Sequence, residues 1–313
     1  MKDRTILWVL IAFILGIALP VCSCLGMGAV MTWQLGSITQ GNTPVFATGD
    51  GIAIIDLNGT ISSASQFYSS LQGITPDGVG TLLEQAALDN SIKAIVLRVN
   101  SPGGSVVASD EIYHALLDFQ KPIVVSMGES AASGGYYIAC GGDYIIAHPD
   151  TLTGSIGVIS QFFVFEELME KYGIEAEVIA SGPNKAIGSP YQKMSEEERE
   201  IMESIIGEAY ENFIGIISEA RDLPLDEVRT IADGRIYTGR QALELGLVDA
   251  IGLQDDAIEK AVELGGIEGE PRIIKLEATP SLIDILYSYQ ASHSLSLSEI
   301  INLVQAAPIL IFR

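Results

Sequence analysis

Serine, lysine and tandem glycines are the residues of this chain whose types and spacing could do chemistry. Residues 128–142 read GESAASGGYYIACGG, which sets Ser133 among side chains small enough for another backbone to approach its hydroxyl. A serine nucleophile needs a base to take its proton, and it needs N–H donors for the oxyanion that forms at the attacked carbonyl. Only three histidines are present. His114 lies midway along the helical pattern EIYHALL, where an ordinary helix role is the plainer reading. His148 precedes Pro149 at a strand end and His293 lies in the C-terminal region, neither with an obvious orienting acid beside it. A lysine can serve instead when burial or nearby positive charge brings its pKa from about 10.4 towards 7, which is the Ser-Lys variant of the triad. Lys185 stands in ASGPNKAIGSP, among glycines and prolines that draw it out of regular structure. Taken by itself it reads first as a solvated loop lysine.

The oxyanion donors have a local signature. RVNSPGGSVVASDEIY runs from a strand through Pro102-Gly103-Gly104 into a helix. Tandem glycines with exposed amides before a helix form an anion-binding nest, although an ordinary strand-to-helix turn has the same composition. No lysine follows these glycines as a phosphate-binding loop requires. There is no HExxH, and Cys22, Cys24 and Cys140 lack zinc spacing, so the chemistry calls for no metal or organic cofactor. Three cysteines make no disulfide framework, and Cys140 reads as a small core residue.

The elements that must position these residues alternate along the chain. Apolar runs of strand length occur at GIAIIDLNGTI, IKAIVLRVN, PIVVSM, DYIIAHP and AEVIAS. Helical spacing occurs at DGVGTLLEQAALD, VVASDEIYHALLDFQ and FVFEELMEKYGI, and over a long stretch from Ser195 to Ala220 opened by SEEERE. GGYYIACGG fits the start of a further helix. Buried strands alternating with amphipathic helices predict an α/β fold with a largely parallel sheet.

Outside that domain the chain changes character. Thr5 to Gly49 carries no charged side chain, and TILWVLIAFILGIALPVCSCLGMGAVM is apolar over the ~20 residues that cross a bilayer. Lys2 and Arg4 precede it, so the positive-inside rule predicts a cytoplasmic N-terminus and an extracytoplasmic remainder. The pattern favours an uncleaved anchor over a signal peptide. The domains expected are a cytoplasmic stub and transmembrane anchor at 1–33, a Gly/Ser/Thr-rich linker at 34–50, a catalytic domain at 51–275 and a helical, apolar tail at 276–313. A net charge of −23 over 313 residues argues against nucleic acid as a partner.

LRVNSPGG, GESAASGGYYIA, TLTGSIGVI, SGPNKAIGSP and GRIYTGRQALELGLVDAIG resemble, in order, the sequence blocks of the signal peptide peptidase A family in its short, single-domain form. The resemblance runs from about Gly51 to Arg272. It implies the Clp protease and crotonase type of fold and a membrane-tethered serine endopeptidase acting on hydrophobic signal-peptide remnants. It implies Ser133 as nucleophile, Lys185 as general base, Ser155 of TGSIG as the hydroxyl that orients the lysine, and Gly104 with Gly134 as the oxyanion hole. It also implies a homo-oligomeric ring in which the dyad meets across neighbouring protomers. Rival readings are a crotonase-type acyl-CoA enzyme, which predicts neither anchor nor Ser-Lys pair, a non-catalytic membrane scaffold of the same fold, and a general membrane-protein quality-control peptidase.

Overall fold

The computed structural model describes residues 49–63 and 73–277, and the backbone of 311–312. The apolar span at 5–31 and nearly all of the linker and tail lie outside the described residues. Among the described residues no helix is long and apolar enough to cross a membrane.

The central sheet is built on the apolar runs. Strand β1 spans Gly51–Asn58; helix α1 (Pro76–Leu88) leads to β2 (Ile92–Ser101), the two-residue β3 (Gly104–Ser105) and α2 (Val106–Leu117). Next come β4 (Ile123–Ala132), α3 (Gly134–Ala139), β5 (Tyr144–Ala147), β6 (Leu152–Gly154) and β7 (Val158–Ile159). Helices α4 (Glu166–Lys171), α5 (Glu196–Arg221) and α6 (Leu225–Ile231) precede β8 (Ile236–Thr238), α7 (Gly239–Glu244), β9 (Ala250–Ile251), α8 (Gln254–Leu264) and β10 (Arg272–Leu276). The main sheet runs β10-β1-β2-β4-β5-β9 with every neighbouring pair parallel.

Alternation of side chains explains why these runs are apolar throughout. Ile55, Leu97 and Val125 face one side, where α1, α2, α3 and α5 cover them. Ile54, Val96 and Val124 face the other, against Ala257 and Ala261 of α8. Side chains satisfy the helix ends. Ser195 and Glu198 form a reciprocal capping box at the start of α5, and Lys121 closes α1 by donating to the carbonyls of Ala86, Ala87 and Asp89.

Strand β4 is long enough to serve two partners. Its first half pairs with β5, and Ser130–Ala132 pairs in parallel with β6. Beside this lies a small antiparallel sheet, in which β11 (Ile311–Phe312) sits between β3 and β7. One expected strand is absent. AEVIAS (176–181) has the period of a strand but pairs with nothing among the described residues, and Ile179 is 90% exposed. The helix expected over 163–174 is confined to Glu166–Lys171, with no buried residue.

Candidate active site

Ser133 follows the last residue of β4 and caps α3. Its backbone is held at φ 55°, ψ −120°, a conformation a non-glycine residue seldom adopts and which costs ~1–3 kcal/mol. The surroundings over-determine it. Its N–H donates to Gly154 O at 2.8 Å, and its carbonyl accepts from the N–H groups of Tyr136 and Tyr137, each at 2.9 Å. Both tyrosines are anchored in turn: the Tyr136 hydroxyl donates to Leu247 O at 2.8 Å and that of Tyr137 to Asp110 Oδ1 at 2.6 Å. Burial, reinforced by Asp110, pushes the Tyr137 phenol well above its ordinary pKa, so it stays a donor. Ser133 is fully buried and its Oγ makes no hydrogen bond among the described residues. A buried hydroxyl without a partner, on a strained backbone, is uncompensated unless something else approaches it.

The glycines expected to supply amides meet at this serine. A Cβ added to Gly134 would stand 3.2 Å from Gly104 N and 3.3 Å from Gly103 Cα. Gly104, at φ 158°, passes so close to the chain at Ile61 that a Cβ there would lie 2.0 Å from Ile61 O. Ile61 takes both groups on its side of β3: its N–H donates to Gly103 O at 3.0 Å, and its carbonyl accepts from Ser105 N at 2.9 Å. Peptide planarity then sends the Gly104 N–H to the opposite side, the edge along which β11 lies antiparallel. That edge accepts an extended strand.

Ser155 has an unexpected kinship with Ser133. Ala132 pairs with Gly154, so the next residues, Ser133 and Ser155, leave the two strands side by side, both with positive φ (55° and 50°). Two buried hydroxyls lock this register, Thr153 Oγ1 donating to Ala131 O and Thr151 Oγ1 to Gly128 O, each at 2.6 Å. Ser155 N donates to Arg235 O at 2.8 Å, which ties the turn to β8.

Lys185 is not gathered into this constellation within the chain. It is exposed and lines an open pocket of about 760 Å³ together with Val178, Ile179 and Tyr191. Ser133 Oγ has no hydrogen-bond partner, so the lysine lies beyond hydrogen-bond reach of it in its own protomer. The described histidines are occupied elsewhere. His114 stands exposed on α2 with its Nδ1 3.5 Å from Asp110 Oδ2, and His148 Nδ1 accepts from Asp150 N at 3.1 Å.

This geometry can be set beside known proteins. The family model described as Peptidase family S49 matches residues 115–268, and that for Clp protease matches 72–152. A Methanocaldococcus jannaschii protein is 37% identical over 210 residues, 66% of this chain and 67% of that one. The chain belongs to peptidase family S49. Protease 4 of Salmonella typhi is 36% identical over 266 residues, 84% of this chain and 42% of that protein. The chloroplastic serine protease SPPA of Arabidopsis thaliana is 34% identical over 275 residues, 86% of this chain and 39% of that protein. This chain therefore spans less than half the length of those two proteases. The S49 match contains Ser133, Ser155 and Lys185, and the Clp protease match contains Gly104, Ser133 and Gly134.

The surroundings of Ser133 also contain two serines that the sequence pattern does not single out. Ser101, before Pro102-Gly103-Gly104, accepts a hydrogen bond on Oγ from Gly103 N at 3.1 Å. Ser109 Oγ donates to Ser105 O at 2.9 Å and would stand 2.5 Å from a Cβ on Gly134. A serine two residues ahead of a glycine amide is the one available signal for Ser101; Ser109 leaves none, since its neighbour comes from the next helix.

Proposed function

We propose that this chain is a serine endopeptidase in which Ser133 attacks the scissile carbonyl of an extended, hydrophobic peptide. The observation that carries this reading is the buried, unpartnered Ser133 Oγ, on a strained backbone, with the Gly104 and Gly134 backbones in contact beside it. The hydroxyl's proton passes to the amine of Lys185, the new oxyanion accepts from the N–H groups of Gly104 and Gly134, and Lys185 returns the proton to the departing amine. Water then cleaves the acyl-enzyme with the same lysine as base. Ser155, fixed in register beside Ser133, orients that lysine. The substrate takes the edge of β3 on which β11 lies, as an added strand in place of β11, its backbone hydrogen bonds giving affinity without sequence restriction.

Lys185 reaches the site from a neighbouring copy. Three things support this: the unpaired Ser133 Oγ, the exposed lysine, and the exposed apolar residues Phe163, Leu168 and Ile179 on the segment that carries it. A ring of identical head-to-tail contacts gives each protomer one donated lysine. The apolar span at 5–31 would hold that ring on the outer face of the cell membrane, where released signal peptides and other hydrophobic fragments are the substrates in reach. A fluorophosphonate probe tests the assignment. It should label Ser133 in the assembled protein and leave Ser133→Ala unlabelled; a folded assembly that takes no label is instead the non-catalytic scaffold.

A further inference from the structure

Ser101 closes β2, is fully buried, and has no part in the proton transfers above. Three contacts meet on it. Its Oγ accepts the Gly103 N–H at 3.1 Å. Its carbonyl accepts from Ser130 Oγ at 3.3 Å, tying it to the strand that delivers Ser133. Its backbone and Cβ also lie directly against α3: a Cβ added to Gly135 would stand 2.7 Å from Ser101 O and 3.2 Å from Ser101 Cβ. Ser101 therefore touches the turn that carries one oxyanion amide and the helix turn that carries the other.

Gly103 is the joint in this arrangement. Its φ of 106° lies where glycine alone moves freely, so nothing intrinsic to the residue fixes it. Two peptide planes flank its Cα. The Gly103–Gly104 plane is held from one side by Ile61 N on Gly103 O. The Pro102–Gly103 plane is held by the Ser101 hydroxyl, which accepts that plane's Gly103 N–H. Without the hydroxyl a buried amide loses its acceptor, and a rotation about Gly103 to recover one would turn the Gly104 N–H as well.

We propose that Ser101 is a positioning residue that sets the aim and separation of the Gly104 and Gly134 amides. The inference rests on the serine-peptidase reading of Ser133 and those two glycines. It concerns the transition state, where the oxyanion exists, and not the binding of the ground-state peptide.

The test compares assembled wild type, Ser101→Ala and Ser101→Cys in hydrolysis of a chromogenic hydrophobic peptide, and in inhibition by the matching peptide aldehyde, whose hemiacetal places an oxygen in the same amide pair. Ser101→Ala should lose about 10- to 100-fold in kcat, less than deletion of an oxyanion donor, with KM within about twofold of wild type. Its aldehyde affinity should fall in proportion to kcat/KM. Ser101→Cys, nearly the same shape with a weaker acceptor, should lie between and carry the result if the alanine variant unfolds. A wild type that neither cleaves the peptide nor takes a fluorophosphonate label defeats the peptidase reading and this inference with it. An active wild type whose folded Ser101 variants keep kcat and aldehyde affinity within twofold, or lose activity only through KM or thermal unfolding, overturns the Ser101 role alone.

Discussion

From Ala131 to Gly141 every residue is buried, whereas from Ser160 to Glu197 none is. The first stretch holds Ser133 and the second holds Lys185. Backbone hydrogen bonds to Gly154, Tyr136 and Tyr137 shape the first from within one chain. The second is knitted mainly to itself: Phe165 N donates to Pro190 O, Lys193 N to Glu166 Oε2, and Asn184 Nδ2 to Glu197 Oε1. Its apolar side chains, including the stacked pair Phe163 and Phe165, gain nothing from the core. The contrast teaches how a two-part catalytic group can be divided. In the proposed mechanism the nucleophile and its donors are finished by folding, while the base is presented on an exposed surface that a neighbouring copy would bury.

The largest effects test that division directly. Ser133→Ala and Lys185→Ala should each lower kcat/KM by about 10⁴-fold or more, while alanine at His114, His148 or His293 leaves activity standing. Co-assembled in equal amounts, the two dead variants should regain activity, because about a quarter of ring interfaces would pair an intact serine with an intact lysine. Mixed assemblies verified by mass that stay inactive would break the comparison, since both halves would then belong to one chain.

Charging the exposed segment should come next. Phe165→Asp with Ile179→Asp should dissociate the assembly in light scattering and abolish hydrolysis, yet leave the circular dichroism and Tm of the core unchanged, because neither side chain is buried. Loss of the fold would mean that the segment stabilises its own chain. Ser155→Ala should be milder, about 10- to 100-fold in kcat, as a group that orients the base. Because a lysine base works only when deprotonated, wild-type kcat/KM should climb with pH; a profile flat from pH 5 upward would remove Lys185 from that role.

The folded half offers two smaller tests. Arg221 forms a nearly buried bidentate pair with Asp249, which also accepts from Ile145 N at 2.7 Å. Asp249→Ala should cost ~3 kcal/mol by leaving the guanidinium without its partner, lowering Tm by roughly 6–12 °C. Calorimetry decides it, and an unchanged Tm would show that the pair contributes nothing. Burial pushes the Cys140 thiol up from 9.0 to about 12. Its neutral form is favoured in the fold, so its contribution to stability is intact below pH 9 and is lost as pH climbs from about 9 to 12. Native protein at pH 8 should resist iodoacetamide at Cys140 and take one label there once denatured; rapid native labelling would contradict the burial around α3.

Much of this was legible in the sequence where the signal is local. The continuous apolar runs at β1, β2, β4 and β5 announced a sheet covered on both faces, and the small residues around Ser133 announced a close approach. AEVIAS misled because apolar period reports that a segment wants burial, not what will bury it; among the described residues no strand pairs with it. The short strands β6, β7, β8 and β9 escaped because two or three residues carry no period, and their register comes from tertiary pairing. Ser101 escaped for a related reason. Half of its proposed role lies in Gly135, which reaches it only after the chain has crossed over through α2 and β4.

The backbone at Ser133 has a consequence for how such a chain can change over generations. A side chain is held where glycine alone would be at ease, so replacing Ser133 by glycine releases strain and removes a buried, unsatisfied hydroxyl at one stroke. The inert protein is then the sturdier one. Mutation filtered by foldability alone would discard the serine, and on the proposed function it is continued demand for hydrolysis that keeps one at that turn.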